Sequence, residues 1–198
     1  MSHLKKFRAA LAEKGADAAI IGSKLNQKYL SDFDFDDGFV LVTKGQSYLI
    51  TDFRYVEAAT EQRNPELEVL MPNIGMLTCM EELLRENGCR KVMIEEETLS
   101  FADYGKYSEK LTGMELCSGA SALLEELRLY KDEKELETMA RAQAVTDAAF
   151  AHILNFIKPE MTEIEVALEL EFFMRRNGAD GLAFDTIAIS GTTSSRPH

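Results

Sequence analysis

The chain has 198 residues, 45% hydrophobic and 28% charged, which is enough apolar material for one large domain or a medium domain with part of another. With 34 acidic against 22 basic residues, its net charge of −12 repels a phosphate backbone and excludes nucleic acid as the expected partner. The longest uncharged run, the 12 residues 69–80, holds Pro72 and Gly75 and is too short for a membrane span, and the basic N-terminus lacks an apolar stretch behind it.

Leu4, Phe7 and Leu11 fall at i, i+3 and i+7 with Gly15 beyond them, which predicts an amphipathic helix with a glycine stop. A strand is expected over 18–21. Residues 38–42 and 47–50 are β-prone runs joined by Thr43-Lys44-Gly45-Gln46, the pattern of a hairpin. Asp52 then stands where a helix N-cap belongs, ahead of Tyr55, Val56 and Ala59. Beyond it strands and helices alternate: 67–71, 77–86 ended by Gly88, 91–94, 101–111 ended by Gly113, and 114–117. Such units predict a sheet covered by helices, and the hairpin makes that sheet mixed. The expected layout is an α/β domain over 1–120 followed by a linker helix over 121–131.

Residues 132–157 contain neither glycine nor proline and repeat apolar residues at Leu136, Met139, Ala140, Val145, Ala149, Ile153 and Ile157. One helix of about 39 Å is predicted, ended by Pro159. Thr162-Glu163-Ile164-Glu165 has the form of a capping box, so a second helix should run from there to Arg176 before Asn177-Gly178. A strand is predicted over 184–189. It has no partner within 132–198, so this segment is expected to be an incomplete second domain.

Few constellations carry chemistry. Asp32-Phe33-Asp34-Phe35-Asp36-Asp37 fails the calcium-loop template, with Asp37 where glycine is required and Thr43 where a bidentate Glu is required, so an exposed acidic loop is expected. Glu95-Glu96-Glu97 ends a predicted strand, a common setting for α/β ligand sites, but no His or Cys stands nearby and a solvated strand end is the expectation. Cys79, Cys89 and Cys117 form no C-x-x-C pair and suit a reducing compartment, so the cytoplasm is the expected location. No H-E-x-x-H, G-x-S-x-G, P-loop or G-x-G-x-x-G occurs. Of three histidines, His3 is terminal, His152 falls mid-helix in a structural setting, and His198 follows the polar loop 191–197, where functional groups tend to sit.

Several segments in order resemble the creatinase, prolidase and aminopeptidase P family of pita-bread metallopeptidases. Asn26-Gln27-Lys28-Tyr29-Leu30-Ser31-Asp32-Phe33 is similar to the family's N-x-x-Y-L-[ST]-G-F, and Tyr48-Leu49-Ile50-Thr51-Asp52-Phe53-Arg54-Tyr55 to its Y-L-I-T-D-x-R-Y. Residues 127–136 resemble R-x-x-K-[DS]-x-x-E-[IL], and Lys158-Pro159-Glu160-Met161-Thr162-Glu163 resembles K-P-G-M-T-E. Residues 184–191, followed by Pro197-His198, resemble F-D-T-I-x-x-S-G…P-H. Asp32 and Glu160 stand where the family has glycine, which bears on local backbone geometry.

The resemblance implies a creatinase-type N-terminal domain followed, over 132–198, by the start of a pita-bread domain. It also implies cleavage between an N-terminal residue and proline in the parent protein, with an Xaa-Pro peptide as substrate. Two divalent ions, commonly Mn²⁺, would be held by Asp, Asp, His, Glu and Glu, all beyond the Pro197-His198 motif; none would be bound by this chain, which is expected to be inactive alone. By the same resemblance His198 supports the substrate or intermediate electrostatically, and Phe184 walls the site. Arg54 approaches a neighbouring subunit's site in a homodimer, an intradomain ion pair being the competing reading. Two other functions stay open: a non-catalytic binding or dimerisation module, and a creatinase-like hydrolase of another small substrate.

Overall fold

The computed structural model describes residues 1–196, which form two compact units, Met1–Tyr130 and a second that begins at Lys131. The first unit begins with α1 (His3–Glu13), whose N-cap Ser2 side chain accepts a hydrogen bond from the Lys5 N–H and whose Leu4, Phe7 and Leu11 are fully buried. It continues through β1 (Ala18–Ile21), α2 (Lys24–Ser31), the hairpin strands β2 (Gly38–Thr43) and β3 (Ser47–Thr51), and α3 (Val56–Gln62). Then come β4 (Glu68–Leu70), α4 (Met76–Glu86), β5 (Lys91–Ile94), α5 (Phe101–Lys110), β6 (Glu115–Cys117) and α6 (Ala120–Leu129).

The six strands form one sheet in the order β4-β3-β2-β1-β5-β6, antiparallel across the β1–β2 and β2–β3 pairs and parallel elsewhere. This is the mixed, helix-covered α/β sheet expected from the pattern. Successive side chains of a strand point to opposite faces, and here both faces are dry. Ala19 and Ile21 of β1, with Val40, Val42 and Leu49, meet the apolar sides of α1, α2, α3 and α6. Ala18, Ile20, Phe39, Leu41 and Ile50 meet α4 and Leu111 at the end of α5. Apolar burial of this kind stabilises by roughly 25 cal/mol per Å².

In the second unit α7 (Glu133–Phe156) and α8 (Glu163–Arg176) each begin with a complete capping box, Asp132 with Glu135 and Thr162 with Glu165. Ala149, Ile153 and Ala167 are buried, while His152 Nε2 lies 2.7 Å from Glu169 Oε1 and its ring stacks on Phe173 at 4.3 Å. His152 is thus a packing residue that ties the two helices together.

Three sequence expectations need correction. Asp52 is not the N-cap of α3: that position is Tyr55, and Asp52 instead opens the preceding turn, its carbonyl accepting from the Tyr55 and Val56 N–H groups. α2 carries no clear apolar period and was not expected. Residues 184–189 form no strand, because β-prone side chains make a strand only where a neighbour supplies the ladder, and none is present in this unit among the described residues.

Candidate functional site

Parallel strands β1 and β5 lie side by side with their carboxyl ends together. β1 leads into α2 on one face of the sheet, β5 into α5 on the other. A divergence of that kind opens the crevice in which α/β sheets usually hold ligands. Glu95, the residue after β5, fills the α2 side of it. Its Oε2 accepts from the Gly22 N–H at 2.6 Å and the Ser23 N–H at 2.8 Å, and its Oε1 accepts from Ser23 Oγ and Asn26 Nδ2, both at 2.6 Å. Asn26 Oδ1 in turn accepts from Arg128 Nη1 at 2.8 Å, so one carboxylate joins β5, α2 and α6.

Although charged, Glu95 is only 2% exposed. Four donors and the positive end of α2 compensate the lost hydration. The neighbouring Glu96 treats α6 in the same way, accepting from the Gly119 N–H at 2.9 Å. Burial works to raise its pKa, but the hydrogen bonds from Gly119 and Ser121 prevail and hold it below the usual carboxylate range. A helix N-terminus is a ready phosphate site, and both of these are already filled by the chain's own carboxylates. The solvated strand end expected for Glu95-Glu96-Glu97 therefore does not describe Glu95. The signal available in the sequence was Gly22-Ser23, a small polar pair between a strand and the unrecognised α2.

A second polar cluster surrounds the β3–α3 turn. Arg54 Nε donates to both oxygens of Asp52 at 3.2 and 3.0 Å, and its Nη2 reaches Asp52 and Asp37. Its guanidinium lies 5.4 Å from the centroid of the Tyr55 ring, and the Tyr55 hydroxyl donates to Asp36 at 3.2 Å. Lys24 pairs with Asp36 and Lys28 with Asp34. Arg54 holds the Asp52 carboxyl below its ordinary pKa, and Lys24 does the same for Asp36. The aspartates of the acidic loop are thus exposed, as expected, and Asp34, Asp36 and Asp37 are matched by cations. Arg54 sits in an intradomain ion pair and keeps 51% of its side chain exposed.

In the second unit, Phe184 stands 78% exposed on the irregular segment. Farther along it the Ser190 N–H donates to Glu163 Oε1 at 2.7 Å, ahead of a single 3₁₀ turn at Gly191–Thr193. His198 lies outside the described residues. Within either unit taken alone, no three His, Cys, Asp or Glu side chains converge closely enough to hold a metal among the described residues, so these residues do not fit a two-metal centre.

The Creatinase/Prolidase N-terminal domain model matches residues 3–130, and the Metallopeptidase family M24 model matches residues 137–198. The uncharacterized peptidase YqhT of Bacillus subtilis is 34% identical over 195 residues, 98% of this chain and 55% of that protein. The Xaa-Pro dipeptidase of Pyrococcus horikoshii is 28% identical over 198 residues, 98% of this chain and 54% of its own length. Among solved structures, the Xaa-Pro dipeptidase from Bacillus anthracis superposes with a TM-score of 0.86 at 36% identity, covering 92% of this chain and 50% of that one. The chain spans about half the length of the curated relatives it matches.

Proposed function

Because this chain belongs to the creatinase/prolidase family, with the metallopeptidase M24 domain following its N-terminal domain, we propose that it is the N-terminal part of an Xaa-Pro peptidase. The supporting observation is that two family domains match in succession over nearly all its residues, and that relatives named Xaa-Pro peptidases align across the same span. The substrate of the complete protein is then a peptide with proline in its second position. Residues 1–130 form the accessory domain and residues 131–198 open the catalytic one.

In this reading Arg54 and Phe184 contact substrate or border the site, and His198 donates to the oxygen on which charge develops. The complete protein is a homodimer of the cytoplasm, a compartment in keeping with three free thiols. The two divalent ions, Mn²⁺ by family resemblance, take their ligands from outside residues 1–198. Residues 1–198 alone are therefore inactive. Purified chain incubated with Xaa-Pro dipeptides and longer Xaa-Pro peptides, with and without Mn²⁺, should release no N-terminal residue, and Mn²⁺-stimulated release would refute that statement. The coding sequence read past codon 198 tests the peptidase itself: an in-frame continuation carrying Asp, Asp, His, Glu and Glu is expected.

One observation favours a second reading, a non-catalytic assembly module. Leu136, Met139, Phe150, Leu154, Ile164 and Phe172 are all exposed on α7 and α8, an apolar surface suited to self-association. Light scattering that shows a monomer at high concentration counts against it.

A further inference from the structure

The crevice between β1 and β5 is filled on the α2 side but open on the α5 side. There a cleft of about 290 Å³ is lined by the apolar Ile94 and Leu99 and by the polar Glu95, Thr98, Asp103 and Tyr107. It lies wholly within the first unit. Its chemistry is one-sided, because two carboxylates and four hydroxyl-bearing side chains line it and no cationic side chain does. The nearest cation in the hydrogen-bond network is Lys106, already 2.7 Å from Asp103 Oδ1.

The lining groups differ in what they can still bind. Glu95 has four internal donors for its lone pairs, so it contributes negative field to the cleft and no free acceptor. Asp103 accepts from Ser100 Oγ at 2.7 Å on its other oxygen and retains acceptor capacity. The hydroxyls of Thr98 and Tyr107 have no hydrogen-bond partner among the described residues. Burial first, then the Asp103 and Glu95 carboxylates, push the Tyr107 pKa upward, which keeps that hydroxyl a neutral dipole able to accept.

An anion would meet the field of two carboxylates, and the α2 N-terminus is already occupied by Glu95. A neutral apolar molecule would leave the Thr98 and Tyr107 hydroxyls unused. We propose that this cleft binds a small organic cation, a primary ammonium on a short apolar body, with the ammonium at Asp103, Thr98 and Tyr107 and the body against Ile94 and Leu99. The site is independent of the peptidase reading, since every residue in it belongs to the first unit.

Benzylammonium chloride is a suitable probe, titrated into the ¹⁵N-labelled 198-residue chain, with benzoate and benzyl alcohol as matched controls at constant ionic strength. Saturable shifts are expected at the amides of Gly22, Ser23, Glu95 and Ser100 with benzylammonium, and markedly weaker ones with either control. Asp103→Asn preserves the N-cap bond to Ser100 and should weaken the probe about three- to fivefold, the size of a lost solvent-accessible charge contact. Leu99→Trp, which fills the cleft, should abolish the shifts while the spectrum stays dispersed. Absence of saturable shifts overturns the proposal; so do equal responses to benzoate or benzyl alcohol, or unchanged affinity in Asp103→Asn. If Leu99→Trp fails to fold, Asp103→Asn with the two control ligands decides the matter alone.

Discussion

Replacing Glu95 by alanine tests whether the buried carboxylate organises the end of the sheet. The substitution removes four acceptor contacts of 2.6–2.8 Å and strands the Asn26 amide, itself buried, together with the Ser23 N–H at the head of α2. Hydrogen bonds to a charged group contribute about 1.5–3 kcal/mol each, but they are not additive when one water can replace several. Gly22 is exposed and its N–H will hydrate, whereas Ser23 is half-buried and Asn26 buried. A loss of about 3–4 kcal/mol is expected, within the range for breaking one side of a buried charged network.

Glu95→Gln sharpens the test because it keeps the shape. Its single carbonyl oxygen can serve the Gly22 and Ser23 N–H pair, but its NH₂ then faces the Asn26 NH₂, which cannot turn over without losing Arg128. This variant should lose about 2 kcal/mol. Urea unfolding followed by far-ultraviolet circular dichroism measures both, with tyrosine emission as the second probe in a chain that has no tryptophan. Amide exchange at Ser23 and through α2 should quicken in parallel. A loss below about 1 kcal/mol for alanine would falsify the argument, since it would mean that water satisfies the donors as well as the carboxylate does.

Asp17 accepts from the Arg90 and Lys91 N–H groups at 3.0 and 2.9 Å, and its bond to Lys44 does most to lower its pKa from 3.8 to about 2. The folded value lies below the unfolded one, so the stability is present above about pH 4 and fades as pH falls through 2; Asp17→Asn should cost about 1 kcal/mol at pH 7, after screening, and almost nothing at pH 2. Gly38→Ala should prevent folding or cost several kcal/mol, since at φ +142° the new Cβ would lie 2.1 Å from the Ile50 carbonyl oxygen; soluble yield and the urea midpoint report it. Glu160→Gly should raise stability by about 0.5–1 kcal/mol, because Glu160 occupies φ +72°, where a side chain is strained. Arg54→Ala should leave the urea midpoint almost unchanged, its partners being the exposed Asp37 and the half-buried Asp52, both of which water can serve.

Local rules were sufficient where the physics is local. The period of Leu4, Phe7 and Leu11, the hairpin around Gly45, and the capping box at Thr162 all appear as read, since each depends on residues within one or two turns. Asp32 and Glu160 were legible too. Standing where the family has glycine, they take φ +59° and +72°, the only non-glycine residues described with positive φ. α2 escaped because its inward face is polar: Asn26, Gln27 and Ser31 are buried there. Gln27 Nε2 donates to the Gly22 and Gly38 carbonyls at 3.1 and 3.0 Å, and Ser31 Oγ to the Gln27 carbonyl at 2.7 Å. A hydrophobic pattern cannot reveal a helix held by its amides. The strand expected over 184–189 failed for the complementary reason, since strand formation depends on a neighbour that composition does not supply.

Glu95, Glu96 and Glu97 show where sequence reading stops at a site. Three identical residues follow one strand, and the turn that begins at Glu96 sends them to different surroundings. Glu95 turns into the α2 terminus and is buried; Glu96 reaches the start of α6 from an exposed position; Glu97 has its N–H held by Ser121 Oγ at 3.3 Å and its side chain exposed. Which glutamate becomes structural depends on which helix N-terminus lies beside it, and that is decided by connections about 70 residues apart in the chain. Filling those termini with carboxylates also decides what the crevice can still accept: phosphate groups are excluded on the α2 side, and the α5 side keeps the field of Glu95 and Asp103, with Lys106 the one cation paired to Asp103 among the described residues. The same glutamate that secures the fold thus sets the sign of the ligand that the open half of the crevice can hold.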